Sequence, residues 1–302
     1  MLDVLTRAGC FIAIILLGFL LKKVGLFKDS DFSVLSTIVL KITLPAAIVV
    51  NFANKEIDFS MFVLAVLGFA FGLIYVALGY FLNLRKSKQQ QAFEILNLPG
   101  YNIGCFAMPF VQSFLGAMGV IATCLFDIGN ALVCLGGSFS VAKIIKDGGR
   151  FSFLKDIKTL SNSIPFILYL IMPILCITHV QVPNAIVTFA GIIANANAFM
   201  AMLMIGVGFK LTANKSQIAY IFKIVSVRYI TALILALIIY FALPFSGDVQ
   251  KALILLVFSP IGAAVPSFTE QLKEDVGLSS AINSICIICS IFFMVIILGI
   301  IP

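Results

Sequence analysis

The sequence predicts an all-α membrane protein of ten transmembrane helices, arranged as two five-helix units of opposite orientation, with the fourth and ninth helices interrupted. Three observations lead there. Hydrophobic residues make up 62% of the 302 residues, against roughly 45–50% in soluble domains, and the mean hydropathy is +1.16. Shifting the chain by about 157 residues lays the first five apolar runs over the last five, bringing Asn102 onto Ser259 and Pro109 onto Pro266. The two stretches so superimposed, Asn102-Ile-Gly-Cys-Phe-Ala-Met-Pro109 and Ser259-Pro-Ile-Gly-Ala-Ala-Val-Pro266, each hold a small polar residue seven positions before a proline.

A helix needs about 20 apolar residues to cross the hydrocarbon core. Runs of that order fall at 5–21, 34–52, 59–82, 95–115, 118–142, 164–179, 185–209, 225–245, 252–272 and 278–301. In the first, the basic pair Lys22 and Lys23 follows the apolar run and no small-residue cleavage site comes after it, so it reads as a span and not as a secretory signal. The second holds Lys41 four residues before Pro45. That ammonium either snorkels to the cytoplasmic side or faces a cavity, where it offers charge to an anion or a partner to Asp127. The third run carries neither a stray basic residue nor an acid.

The fourth run is the first interrupted one. Proline removes a backbone donor and clashes with the preceding turn, and Gly104 loosens the chain, so the segment unwinds; Asn97, Pro99 and Gly100 extend the irregular region. In the fifth, Asp127 is the one acid deep in a span, and Asn130 shares its helix face three residues on. An ionised carboxylate at that depth needs a partner, water or a proton. It reads either as a structural acid bonded to the open peptide groups of the break or as an ion-coupling site. A polar, basic link with Gly148-Gly149 and a candidate interfacial helix at 152–160 then joins the units, 1–147 and 148–302.

The sixth run closes on His179, a lone interfacial histidine. Asn195 and Asn197 in the seventh either approach the break or act as helix-packing glue. Arg228 sits near the cytoplasmic end of an eighth span that starts at 225, which predicts snorkelling. The ninth is the second interrupted run, with Ser259, Pro260, Gly262 and Pro266. The tenth contains Cys286-x-x-Cys289, but no second pair or nearby histidine completes a metal site, and all seven cysteines read as small hydrophobes.

The net charge of +7 suggests nucleic acid until the placement of the charges is read. Fifteen of the 20 basic residues fall in one alternate set of loops and only Arg7, Lys55 and Lys251 in the other. The richer set marks the cytoplasmic side and puts both termini outside. An odd number of spans per unit inverts the second copy, and unwound backbone in matched positions of two inverted halves points to a transporter's binding site. The half-helix N-termini offer N–H groups to an anion there, and the carbonyl ends can hold a cation. No intramembrane histidine or acid pair supports an enzyme, and no phosphate-binding Gly-x-x-x-x-Gly-Lys-[Ser/Thr] loop supports an ATP-driven pump.

Asn102-x-Gly104-x-x-x-x-Pro109, Gly116-x-x-Gly119 and Phe126-Asp127-x-Gly129-Asn130, together with Thr43-Leu-Pro45 and Ser259-Pro-x-Gly-x-x-x-Pro266, resemble the auxin efflux carrier family, which includes bacterial malate or malonate permeases. The resemblance implies a fold related to the bile-acid sodium symporters and sodium/proton antiporters. Its fourth and ninth helices would cross at their breaks, helices 1, 2, 6 and 7 would form a scaffold, and helices 3–5 and 8–10 a moving core. It implies a compact homodimeric bacterial-type carrier of the cytoplasmic membrane. Its substrate would be a small organic anion, with Asn102, Pro109, Ser259 and Pro266 around it; the residues themselves add Gly104, Asn130, Pro260, Gly262 and Lys41 as candidate contacts and Asp127 as candidate coupling site. No cofactor is expected beyond a transported Na+ or H+. A channel or a non-transporting sensor on the same fold is the alternative.

Overall fold

The computed structural model describes residues 2–148, 161–210 and 217–300, and every regular element among them is helical. The helices are α1 (Leu2–Lys23), α2 (Asp31–Ile38), α3 (Leu44–Phe52), α4 (Val63–Phe81), α5 (Lys88–Asn97), α6 (Met108–Phe114), α7 (Ala117–Leu132), α8 (Ser138–Asp147), α9 (Ile164–Ile177), α10 (Asn184–Ala194), α11 (Asn197–Gly208), α12 (Ile218–Phe241), α13 (Gly247–Val257), α14 (Val265–Gln271) and α15 (Val276–Ile300). Seven helical stretches among the described residues are long and apolar enough to cross a membrane: Leu5–Lys23, Asp31–Phe52, Phe59–Phe81, Ala117–Asp147, Asn184–Gly208, Ile218–Phe241 and Val276–Ile300. The other three runs read from the sequence are shorter as helices. The sixth is α9, with 14 residues, and the fourth and ninth are each divided, as α5/α6 and α13/α14. The interfacial helix expected at 152–160 lies outside the described residues.

Three π turns shape the long helices. Val39–Thr43 joins α2 to α3, Ile103–Ala107 leads into α6, and Val133–Gly137 joins α7 to α8. The first two each end just before a proline at the start of the next helix, Pro45 in α3 and Pro109 in α6. Proline has no N–H to donate and its ring crowds the preceding turn, and a widened turn makes room for that ring.

The eighth span starts at Ile218, seven residues before the position read from the sequence. Lys223, which looked like a loop residue, lies within α12 because Glu94 of α5 receives its ammonium at 2.7 Å. That carboxylate is 1% exposed. Arg228 is thereby carried a further two turns into the helix.

The helices pack in two groups. In one, α1 and α2 pack on α11, and α3 on α9 and α10; in the other, α4 packs on α5 and α7, α5 on α8, and α13 on α7 and α12. Close approach explains two glycines at once. A Cβ on Gly129 would lie 1.8 Å from the Ala65 carbonyl oxygen, and one on Gly68 2.1 Å from that of Phe126, so α4 and α7 touch backbone to backbone.

Candidate functional site

The two divided helices meet at their gaps. α5 stops at Asn97, whose side chain is held by Thr269 of α14 and Ser279 of α15 at 3.3 and 2.6 Å. The chain then turns through Gly100, at φ +77°, a conformation glycine adopts without strain. At the end of this gap the Asn102 N–H donates to the Pro260 carbonyl at 2.9 Å, so backbone of one gap bonds backbone of the other. Unwound peptide groups removed from water must find such partners.

Arg228 was expected to snorkel toward water, and the structure overturns that. Its side chain is 0% exposed, and its guanidinium donates to three carbonyls around the gaps: Leu98, Gly100 at 2.8 Å and Ser259 at 2.7 Å. Starting the helix at Ile218 makes snorkelling geometrically unavailable, and the open carbonyls supply the acceptors that water would have given.

A cavity of about 350 Å³ lies against this junction, within the roughly 300–1,000 Å³ range of small-molecule sites. Lys41, Asn102, Gly104, Asp127, Asn130 and Gly262 all line it. All three π turns contribute to the wall, through Lys41, Gly104 and Cys134. Such turns recur at functional sites because one extra residue re-aims the side chains that follow. Lys41 and Asp127 share the cavity but form no ion pair.

Asn130 organises the acid. Its carbonyl oxygen accepts the Tyr101 N–H at 2.9 Å, and its amide donates to the Tyr101 carbonyl at 2.9 Å and to Asp127 Oδ1 at 2.7 Å. Asp127 is therefore tied to the open backbone of the gap through Asn130 and not directly. The Tyr169 hydroxyl, buried beside Asp127, belongs to the same wall.

A second cavity, of about 280 Å³, is lined by Pro266, Ser267, Glu270 and Asn283 and shares Asn102 and Ala263 with the first. Asn102 thus faces both. Pro109, Ser259 and Pro260 line neither: Pro109 is buried in the first turn of α6, and the Ser259 hydroxyl is buried with no hydrogen-bond partner among the described residues while its carbonyl serves Arg228. Asn197 binds Thr43 at 2.9 Å and Gln112 at 3.0 Å, which is a packing role, and Asn195 is exposed. Tyr169, Tyr101 and Glu94 had no signal in the sequence beyond being polar groups in or beside apolar runs.

The family model described as a membrane transport protein matches residues 10–143, a stretch that runs from α1 into α8. Over that stretch, somewhat less than half of its length, the chain is similar to this family of membrane transport proteins. No curated protein matches it. The matched stretch contains Lys41, the first gap, Asp127 and Asn130, whereas Arg228 and the second gap lie beyond it. This is an integral multi-pass membrane transporter, and its cavity combines a fixed ammonium, an acid and open backbone.

Proposed function

We propose that this transporter is a secondary carrier of small organic anions, malate- or malonate-like carboxylates or auxin-like acids, working by elevator-type alternating access. The observation that carries the reading is the Asn102 N–H to Pro260 carbonyl bond beside the cavity. It joins two interrupted helices at the wall of a chamber large enough for a dicarboxylate. The shift of about 157 residues lays α6 end to end on α14, which supports an inverted 5+5 repeat of ten spans. The two packing groups support a division into a scaffold of spans 1, 2, 6 and 7 and a core of spans 3–5 and 8–10.

Within the chamber Lys41 supplies positive charge, and the N-terminal end of the helical stretch Ile103–Phe114 adds free N–H groups and partial positive charge. Both favour a carboxylate. Asp127, on the opposite side of the charge balance, is the coupling site for a proton or sodium ion. Coupling matters energetically, because one charge crossing 100 mV is worth about 2.3 kcal/mol, so an anion entering a negative cell needs a companion. Both termini lie outside the cytoplasmic membrane, and the protein acts as a homodimer.

Flux of labelled malate, malonate and an indole acid into proteoliposomes tests the proposal. The expected result is slow, saturable uptake with counterflow, raised by a proton or sodium gradient. Gradient-driven accumulation that persists in Asp127→Asn would remove the coupling role. Asn102→Ala retains the backbone bond to Pro260 but removes the side chain from both cavities, so it should weaken substrate-induced thermal stabilisation; full stabilisation would move the site elsewhere.

A further inference from the structure

In transporters with interrupted helices the carbonyl ends of the half-helices are the natural seat of a transported cation. Here that seat is filled by the protein itself. The three carbonyls that converge on Arg228 come from both gaps: Leu98 and Gly100 follow the C-terminus of α5, and Ser259 follows that of α13. Each of these helix ends carries partial negative charge, about half an elementary charge when fully aligned. The guanidinium also lies over two rings, 5.2 Å from the centroid of Tyr75 and 5.4 Å from that of Tyr101, whose faces attract a cation. Among the described residues no carboxylate pairs with it. Its counter-charge is made of peptide dipoles and ring faces, the kind of environment that otherwise binds a desolvated metal ion.

We infer that Arg228 is a resident cation that occupies the carbonyl seat at the junction of the two gaps, locking the gaps together and closing that seat to a transported metal ion. The inference rests on the carrier reading only for the word transported; the cation-binding claim stands on the contacts alone. Any coupling ion must then act at Asp127, on the cavity side of the junction. A planar fork suits three carbonyls at different angles, and a lysine ammonium would not reach all of them with the same geometry. Arg228 is a positioning residue: it holds the backbone of the gap against which substrate binds.

The test is chemical replacement of the side chain, read by thermal unfolding of the purified protein in detergent. Arg228→Ala should melt well below the wild type and regain several degrees in about 50 mM guanidinium, with no comparable gain from the same concentration of potassium or tetramethylammonium. The wild type should not respond to any of them. If the variant does not survive extraction, guanidinium present during extraction should restore a monodisperse protein. Arg228→Lys should be intermediate in stability and indifferent to guanidinium. Equal responses to guanidinium and potassium, or no recovery of the variant, would overturn the assignment. So would a sodium-dependent stabilisation of the wild type that survives Asp127→Asn, since it would put a metal ion where the guanidinium is placed. None of these readouts requires flux, so a wild type that melts as expected but transports nothing would refute the carrier and leave Arg228 as assigned.

Discussion

Single side chains carry more of this structure than their number suggests. Asn130 satisfies both backbone groups of Tyr101 and orients Asp127. Removing it strands buried polar groups at about 1–3 kcal/mol each. Asn130→Ala should therefore lower the melting temperature clearly and weaken substrate binding, whereas a surface substitution such as Lys86→Ala should do neither. The Glu94–Lys223 pair gives a second residue-scale prediction. Glu94 also accepts from the Asn83 amide at 2.7 Å, yet Lys223→Met leaves a buried carboxylate without its cation and should cost about 3–5 kcal/mol by unfolding measurements. The double variant Glu94→Gln, Lys223→Met should recover most of the loss, since neither partner is then charged.

At the scale of elements, the contact between α4 and α7 depends on two missing side chains. Gly129→Val would drive a branched side chain into the Ala65 carbonyl, which sits 1.8 Å from the position of its Cβ. Neither helix can yield without moving Asp127 and Asn130, which α7 carries. Loss of folded protein on size exclusion is the expected outcome, and wild-type stability would show that the two helices do not touch there. At the end of α1, Asp29 lies 3.6 Å from Lys22 and 3.2 Å from Lys210, and the hydrogen bond from Lys210 holds its carboxyl below the usual carboxylate range. A lowered carboxyl contributes stability above its ordinary pKa and loses it as the pH falls through the lowered value. The melting difference between wild type and Asp29→Asn should accordingly be small at neutral pH and vanish on acidification. It should shrink in high salt too, because the carboxylate is 65% exposed.

For the whole molecule, the decisive contacts are those between the proposed scaffold and the proposed core, which includes α6 and α15. The Asn197 amide of α11 donates to Gln112 of α6 at 3.0 Å, and the Lys210 N–H beyond α11 donates to the Ser284 hydroxyl of α15 at 3.1 Å. If one group moves against the other, these bonds break in each cycle. Cysteines introduced at Gln112 and Asn197 should therefore cross-link and arrest flux, with recovery on reduction. Undiminished flux with the bridge formed would mean that transport needs no motion between the groups.

Hydrophobic periods and the position of each proline lie along the chain itself, so the sequence by itself determined an all-helical membrane protein, the seven long apolar helices among the described residues and the irregular stretches beside Pro109 and Pro266. Asn102 and Gly104 were legible for the same reason: small polar and flexible residues beside a proline inside an apolar run announce open backbone. The three π turns were not legible, because a widened turn is set by crowding around a proline or by packing and leaves no period of its own. Nor was the depth of Arg228. Its span appeared to begin at 225 because a lysine reads as a boundary, and only the tertiary structure brings Glu94 across to neutralise Lys223 and let α12 start at Ile218. Charges far apart in sequence cancel only once the fold has made them neighbours, and that pairing decided which residues the membrane interior could hold.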